Sequence, residues 1–156
     1  MLDRFIGSPE HKLDGKGRVS LPSSYRDVLA QFGSPTDFIL LPAPLIEGED
    51  PCHVCMTPKG HTQLIESLGE IEFASAQEER LTRQRYIGNA RAIAVEEGGR
   101  FVLSRDLRDA LGLTDRVQFV GDGGTFQIWQ PETHARLTAP QPETKPRRIS
   151  LSRIGP

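Results

Sequence analysis

Asp14-Gly15-Lys16-Gly17-Arg18-Val19-Ser20-Leu21-Pro22-Ser23-Ser24-Tyr25-Arg26-Asp27-Val28-Leu29 returns further along the chain as Glu96-Glu97-Gly98-Gly99-Arg100-Phe101-Val102-Leu103-Ser104-Arg105-Asp106-Leu107-Arg108-Asp109-Ala110-Leu111. A constant offset of 82 positions (18 to 100, 26 to 108) carries Gly17, Arg18, Leu21, Arg26, Asp27 and Leu29 onto identical residues. Each copy reads as a turn, a short strand and a helix. Two copies imply two similar halves related by a pseudo-twofold axis. A pair of Gly-Arg turns on one face would be a symmetric reader of something negative or repeated.

Within each copy the local signals agree. Gly15 and Gly17 free the backbone for positive φ, so Asp14 to Arg18 reads as a tight turn. Val19-Ser20-Leu21 alternates as a half-buried strand. Pro22-Ser23 opens a helix with a serine available as N-cap. Tyr25, Val28, Leu29 and Phe32 form one apolar face, and Gly33 supplies the stop. In the second copy Ser104 can cap a helix carrying Leu107, Ala110 and Leu111, ended by Gly112. These three fall on Tyr25, Val28 and Leu29 under the same offset, so the apolar face repeats too.

Between and around the copies lie further elements. Arg4 to Gly7 and His11 to Leu13 are short extended pieces, and Phe38 to Leu41 is a short buried strand. Residues 42–51 form a loop rich in proline and acid. Thr57-Pro58 opens a helix with Leu64, Ile65 and Leu68 on its inner face. Residues 74–89 read as a charged connecting helix with a solvated face. Ala90 to Val95 is strand-like. Val117 to Val120 and Phe126 to Trp129 flank Gly121-Asp122-Gly123-Gly124, a strong hairpin signal. Pro131 begins a last short helix, and residues 138–156 read as a basic, proline-containing disordered tail. The expected organisation is a first half at 1–73, a second half at 74–137 and the tail.

Composition bounds the function. The 156 residues can bury a real core, but apolar content is only 37%, low for a compact monomer. Part of the core is therefore expected between subunits, or part of the chain is tail. The formal net charge of −2 excludes a bulk polycation, so nucleic-acid binding must use a local basic cluster. No apolar run reaches membrane-spanning length, and the N-terminus reads as carrying no signal peptide, which points to the cytoplasm.

Cys52-x-x-Cys55, with His53 and His61 nearby, could supply four zinc ligands on paper. His53 to Met56 also reads as a strand, which sends neighbouring side chains to opposite faces. A redox C-x-x-C sits at a helix N-terminus, whereas Pro58 starts its helix beyond Cys55. Buried strand cysteines are the expectation, with no metal and no cofactor. Hydrolase and nucleotide-binding signatures such as G-x-S-x-G and G-x-x-x-x-G-K-[ST] do not occur, which argues against an enzyme.

Asp14-x-Lys16-Gly17-Arg18-x-x-x-Pro22-x-x-x-Arg26, repeated downstream, resembles the MraZ proteins, transcriptional regulators of the bacterial division and cell-wall gene cluster. The resemblance runs from about Met1 to about His134. It implies an α+β fold, mainly β: two AbrB-like swapped-hairpin halves forming a pseudo-twofold β-barrel with helices packed around it. It further implies a ring-shaped homo-oligomer that binds G-rich direct repeats in double-stranded DNA upstream of its own operon, on the nucleoid. The family's Asp-x-x-x-Arg reading turn maps onto Asp14, Lys16 and Arg18, and more weakly onto Glu96 and Arg100.

The chemistry of these residues suits that role. Guanine presents O6 and N7 in the major groove, and an arginine fork matches both. Arg18 is the candidate reader, and Lys16 suits a phosphate or a guanine edge. Asp14 could hold the Arg18 guanidinium or cap the turn, Gly15 and Gly17 let the backbone approach, and Lys12 could add a phosphate contact. Taken alone, such a turn is more simply a β-turn with solvated charges; the second copy and the family pattern reverse that reading. A ring-forming scaffold whose turns contact protein is the alternative. Arg26 and Arg108, beside Asp27 and Asp109, read as members of structural or interface ion pairs. The second turn replaces Lys16 by Gly98 and adds Glu97, so the halves are expected to be unequal, with Arg100 a secondary contact.

Overall fold

A computed structural model describes residues 2–156; Met1, counted in the expected first half, lies outside the described residues. In chain order the elements are β1 (Glu10–Lys12), β2 (Arg18–Ser20), α1 (Ser23–Gln31), β3 (Asp37–Leu41), β4 (His53–Met56), α2 (Pro58–Leu68), α3 (Ala76–Arg83), a π-helical turn (Gln84–Gly88), β5 (Arg91–Ala94), β6 (Arg100–Val102), α4 (Arg105–Leu111), β7 (Arg116–Gly121), β8 (Phe126–Trp129) and α5 (Pro131–Thr138). The class is mixed α+β, with every strand pair antiparallel.

Six strands form one sheet in the order β1-β7-β8-β4-β3-β5, and β2 pairs with β6 in a separate two-stranded ribbon. The expected closed barrel is not formed. β2 and β6 are only three residues each, and they spend their ladder on one another. At the first turn, β1 reaches β2 through the single bridge Leu13↔Val19. At the second, the bond from the Glu96 N–H to the Arg100 carbonyl, 2.8 Å, links the β5 side to β6. With β2 and β6 paired to each other and not continuing the ladders of β1 and β5, those two strands remain edges of an open sheet.

The ribbon carries the symmetry. Val19 opposes Phe101, flanked by Arg18↔Val102 and Ser20↔Arg100. Outside these, the Leu21 N–H donates to the Gly99 carbonyl and the Leu103 N–H to the Gly17 carbonyl, each at 2.8 Å. These two bonds interchange under the 82-residue offset, so the pseudo-twofold passes through the Val19–Phe101 pair. Both central side chains are buried, and their neighbours on the opposite face are not.

Beneath the ribbon sits an aromatic core. Phe5, Tyr25, Phe38, Phe101, Phe119 and Phe126 are all buried, with ring centroids 4.9–6.3 Å apart. Offset and edge-on contacts of this kind add to the area they bury. The Tyr25 hydroxyl donates to the Gly7 carbonyl at 2.8 Å, and burial pushes its pKa up to about 12. α1 turns Tyr25, Val28 and Leu29 inward as its spacing predicts, but Phe32, its C-cap, is 37% exposed.

Several local expectations shift. Pro22, not a serine, occupies the N-cap of α1, without a side-chain bond. Ser104 does hold the α4 N-cap position, but its hydroxyl goes to the Asp106 carboxylate instead of a backbone N–H. Thr57 caps α2 by accepting the Gly60 N–H at 2.9 Å, with Pro58 in the first turn as its fixed φ favours. Of the inner face expected for α2, only Leu68 is buried; Leu64 and Ile65 are half-exposed. The charged connecting helix is α3 followed by the π-helical turn, whose Arg85 donates to the Leu45 carbonyl at 2.9 Å. Beyond α5 the tail is exposed and makes only local contacts, among them the isolated bridge Gln141↔Thr144 and the bond from the Ile154 N–H to the Leu151 carbonyl.

Candidate nucleic-acid interface

The first turn closes through two backbone bonds: the Asp14 N–H to the Arg18 carbonyl, 3.1 Å, and the Gly17 N–H to the Asp14 carbonyl, 3.0 Å. Gly17 sits at φ +85°, where an L side chain is strained. Asp14 caps the turn and holds the arginine at once. Its Oδ1 accepts the N–H groups of Lys16 and Arg18, both at 2.9 Å, and its Oδ2 accepts from Arg18 Nε at 2.6 Å. The backbone and side-chain bonds from Arg18 pull the Asp14 pKa down to about 2. The carboxylate is therefore ionised at neutral pH and fixes the guanidinium through Nε. The terminal nitrogens are left for a ligand, and the Arg18 side chain is 40% exposed.

The second turn repeats the backbone and not the chemistry. The Glu96 N–H donates to the Arg100 carbonyl and the Gly99 N–H to the Glu96 carbonyl, each at 2.8 Å, with Gly99 at φ +84°. Among the described residues, the Glu96 carboxylate makes no hydrogen bond that copies the Asp14 clasp, and Arg100 joins no ion pair. Glu96, Glu97 and Arg100 are all exposed. The extra methylene of glutamate places its carboxylate beyond the turn amides that an aspartate reaches two residues on.

The ribbon brings the two turns onto one surface. Arg18, Ser20, Arg100 and Val102 share the face opposite Val19 and Phe101. Arg18 and Arg100 are diagonal neighbours, roughly 7–8 Å apart at the backbone. Val102, directly opposite Arg18, is 46% exposed. Lys12 lies on β1 and is exposed, leading into the first turn, with Arg116 opposite it in register. Lys16 and Gly15 are exposed at the turn tip. A narrow two-stranded ribbon with basic residues on its outer face matches the width of a B-DNA major groove.

Arg26 and Arg108 form no ion pair within the chain; the ion pairs among the described residues are Arg4–Asp3, Arg18–Asp14, Arg91–Asp106 and Arg116–Glu10. Both instead bury an Nε that has no hydrogen-bond partner. Their sequence neighbours Asp27 and Asp109 were misleading, because helix geometry points adjacent side chains apart.

The Cys52–Cys55 segment is structural in its contacts. Both cysteines are buried and unbridged, and burial pushes the Cys52 thiol up to about 12, the opposite of an activated thiolate. His53 spends both ring nitrogens on the backbone: Nδ1 accepts the Ala43 N–H at 2.9 Å and Nε2 donates to the Leu107 carbonyl at 2.8 Å. His61 Nε2 donates to the Tyr86 carbonyl at 2.8 Å. Among the described residues, no helix is long and apolar enough to cross a membrane.

No protein-family model matches the chain. Individual relatives do. A transcriptional regulator MraZ from Gluconobacter oxydans is 36% identical over 136 residues, covering 86% of this chain and 80% of the relative. One from Azorhizobium caulinodans is 33% identical, covering 96% and 92% of the two chains. One from Ruegeria pomeroyi is 31% identical, covering 86% and 81%.

Proposed function

The chain belongs to the MraZ family of transcriptional regulators, which are not enzymes, and from that membership we propose that its ribbon face binds the major groove of operator DNA. Asp14, Gly15, Lys16, Gly17 and Arg18 form the principal reader, Lys12 adds a phosphate contact, and Arg100 is secondary. The observation that carries this reading is the Asp14 clasp on Arg18 Nε. It spends one edge of the guanidinium on the protein and presents the other, preoriented, to guanine O6 and N7. An arginine held before binding loses less side-chain freedom on docking than a free one. The 7–8 Å between the two arginines corresponds to roughly two base-pair steps of about 3.4 Å.

In the finer reading the protein represses its own division and cell-wall gene cluster. It does so in the cytoplasm, on the nucleoid, as a homo-oligomeric ring on G-rich direct repeats. The two halves at 1–73 and 74–137 supply the unequal turns, and 138–156 is a tail. The ring is supported by apolar surface away from the ribbon: Ile46 and Leu81, 42% and 54% exposed, line one groove with Tyr86. Several readers on one particle would also offset the weak affinity of a single basic turn on an acidic chain.

The test is a salt-dependent anisotropy titration on DNA from upstream of the gene, with wild type, Arg18→Ala and Arg100→Ala. A bidentate arginine–guanine pair is worth about 1–3 kcal/mol, so Arg18→Ala should abolish specific binding while Arg100→Ala weakens it less. Equal losses would refute the asymmetry. A salt-independent failure of the wild type to bind would favour a protein-binding scaffold.

A further inference from the structure

Gly17 and Gly99 each have an arginine lying against them, and in both cases it comes from the other repeat. A Cβ placed on Gly99 would fall 2.5 Å from Nη1 and 2.8 Å from Cζ of Arg26. A Cβ placed on Gly17 would fall 3.2 Å from Nε and 3.3 Å from Cζ of Arg108, besides meeting the Leu103 carbonyl at 2.3 Å. The guanidinium of α1 thus rests on the second turn, and that of α4 on the first. The 82-residue offset interchanges these contacts. The orphaned Nε atoms repeat with the same symmetry. A buried, charged N–H without an acceptor is unfavourable. Finding it at both related positions indicates that packing against glycine, not an ion pair, decides where these side chains lie.

We propose that Arg26 and Arg108 are crossed positioning residues: the helix of each repeat holds the Gly-Arg turn of the other in its reading geometry. At 99 a side chain would occupy the place of the Arg26 guanidinium; at 17 it would press on Arg108 and collide with the Leu103 carbonyl behind it. It also couples the halves. The Leu21–Gly99 and Leu103–Gly17 bonds tie each strand to the opposite turn, and the arginines cover those same turns from the helix side. Arg108 therefore acts on DNA through Arg18, and Arg26 through Arg100.

The inference rests on the DNA-reading role proposed above, so its test has one arm without DNA. In hydrogen exchange of the free full-length protein, Arg108→Met should speed exchange in the peptide covering 14–18 and spare that covering 96–100. Arg26→Met should do the reverse. Exchange at β8 reports whether the fold is intact. If either methionine variant unfolds, Arg108→Lys and Arg26→Lys, which keep charge and most of the stem, should show the same crossed pattern at smaller amplitude. In the DNA arm, Arg108→Met should weaken operator binding about ten-fold in the wild-type background, and weaken the residual DNA binding less than about three-fold when Arg18 is already alanine, the signature of coupled residues. It should keep its full effect in an Arg100→Ala background. Uncrossed exchange effects would overturn the inference. So would equal losses in both backgrounds with a salt slope reduced by about one, which mark an independent phosphate contact. Failure of the wild type to bind DNA, with the crossed exchange pattern present, would sink the DNA role alone and leave the positioning intact.

Discussion

Gly17→Ala isolates what the close approach of the two repeats contributes to stability. The added methyl meets the Leu103 carbonyl oxygen at 2.3 Å, and the residue must hold φ +85°. The left-handed conformation alone costs an L residue about 1–2 kcal/mol. A backbone oxygen cannot step aside as a side chain can, so relief requires parting the first turn from the end of β6. That sacrifices the bond from the Leu103 N–H to the Gly17 carbonyl, and leaving such a group unpaired in the interior costs about 1–3 kcal/mol. Together the expected destabilisation is about 2–5 kcal/mol, or roughly 4–20 °C in Tm for a chain of this size. Gly15, two residues earlier, has nothing within 4 Å of its Cβ position and no positive φ, so Gly15→Ala should be near neutral. Gly99→Ala should fall between, because the obstructing group is the movable end of Arg26. Urea unfolding followed by circular dichroism ranks the three. A Gly17→Ala protein as stable as Gly15→Ala would refute the account of the inter-repeat contact.

Three further outcomes follow from other parts of the molecule. His53 is buried neutral and its pKa is lowered, chiefly by desolvation, so the unfolded chain binds its proton first; stability is complete above about 6.5 and falls as pH drops through that value. Thermal melts between pH 8 and 5 should show this loss, and a His53→Gln variant with an unchanged slope would count against the assignment. Asp14 titrates near 2 against an ordinary value of 3.8, so its contribution is present above about 4 and disappears as pH falls towards 2; a carboxyl resonance for Asp14 with an ordinary midpoint would mean the Arg18 clasp is absent in solution. Shortening the operator to a single repeat should reduce affinity by far more than one turn's share, by 10²-fold or more on the order of avidity gains, and undiminished binding in the same titration would argue against a multivalent ring.

The parts of the fold legible in the sequence are those decided by neighbours along the chain. Gly17 announces positive φ, although Gly15, read the same way, does not adopt it; the Tyr25-Val28-Leu29 spacing announces a buried helix face, and Gly121 to Gly124 announces the β7–β8 hairpin. The Asp14–Arg18 geometry is legible for the same reason: an aspartate reaches turn amides two and four residues on. Contacts that depend on the fold returning to itself were not legible. Arg26 next to Asp27 suggests an ion pair at one position along the chain, whereas the structure satisfies neither partner that way and sends the arginine to Gly99. Barrel closure failed on a similar point, since it depends on which distant strands β2 and β6 choose as partners, not on strand propensity. The half-exposed Leu64 and Ile65 are read as inner-face residues only if a helix has one core to face; here part of that face has no cover within the chain.

The repeat therefore fixes a shared backbone and leaves recognition to single residues placed on it. Both turns have the same closing bonds, nearly the same φ at glycine and an arginine of the opposite helix against them. They differ in whether a carboxylate reaches back to hold the reading arginine. At the first turn it does, and the negative charge of Asp14 is consumed locally by three hydrogen bonds. At the second, Glu96 and Glu97 remain exposed and unspent beside Arg100. An approaching phosphate thus meets an acidic residue at both ends of the ribbon but an uncompensated one only at the second. Exchanging the two acids tests whether the clasp or the wider surroundings sets the difference. Glu96→Asp should gain a carboxylate able to reach the amides of Gly98 and Arg100, and so raise the affinity contributed by Arg100. Asp14→Glu should lower that of Arg18. If both exchanges leave operator affinity unchanged, the inequality lies in Lys16 against Gly98 instead.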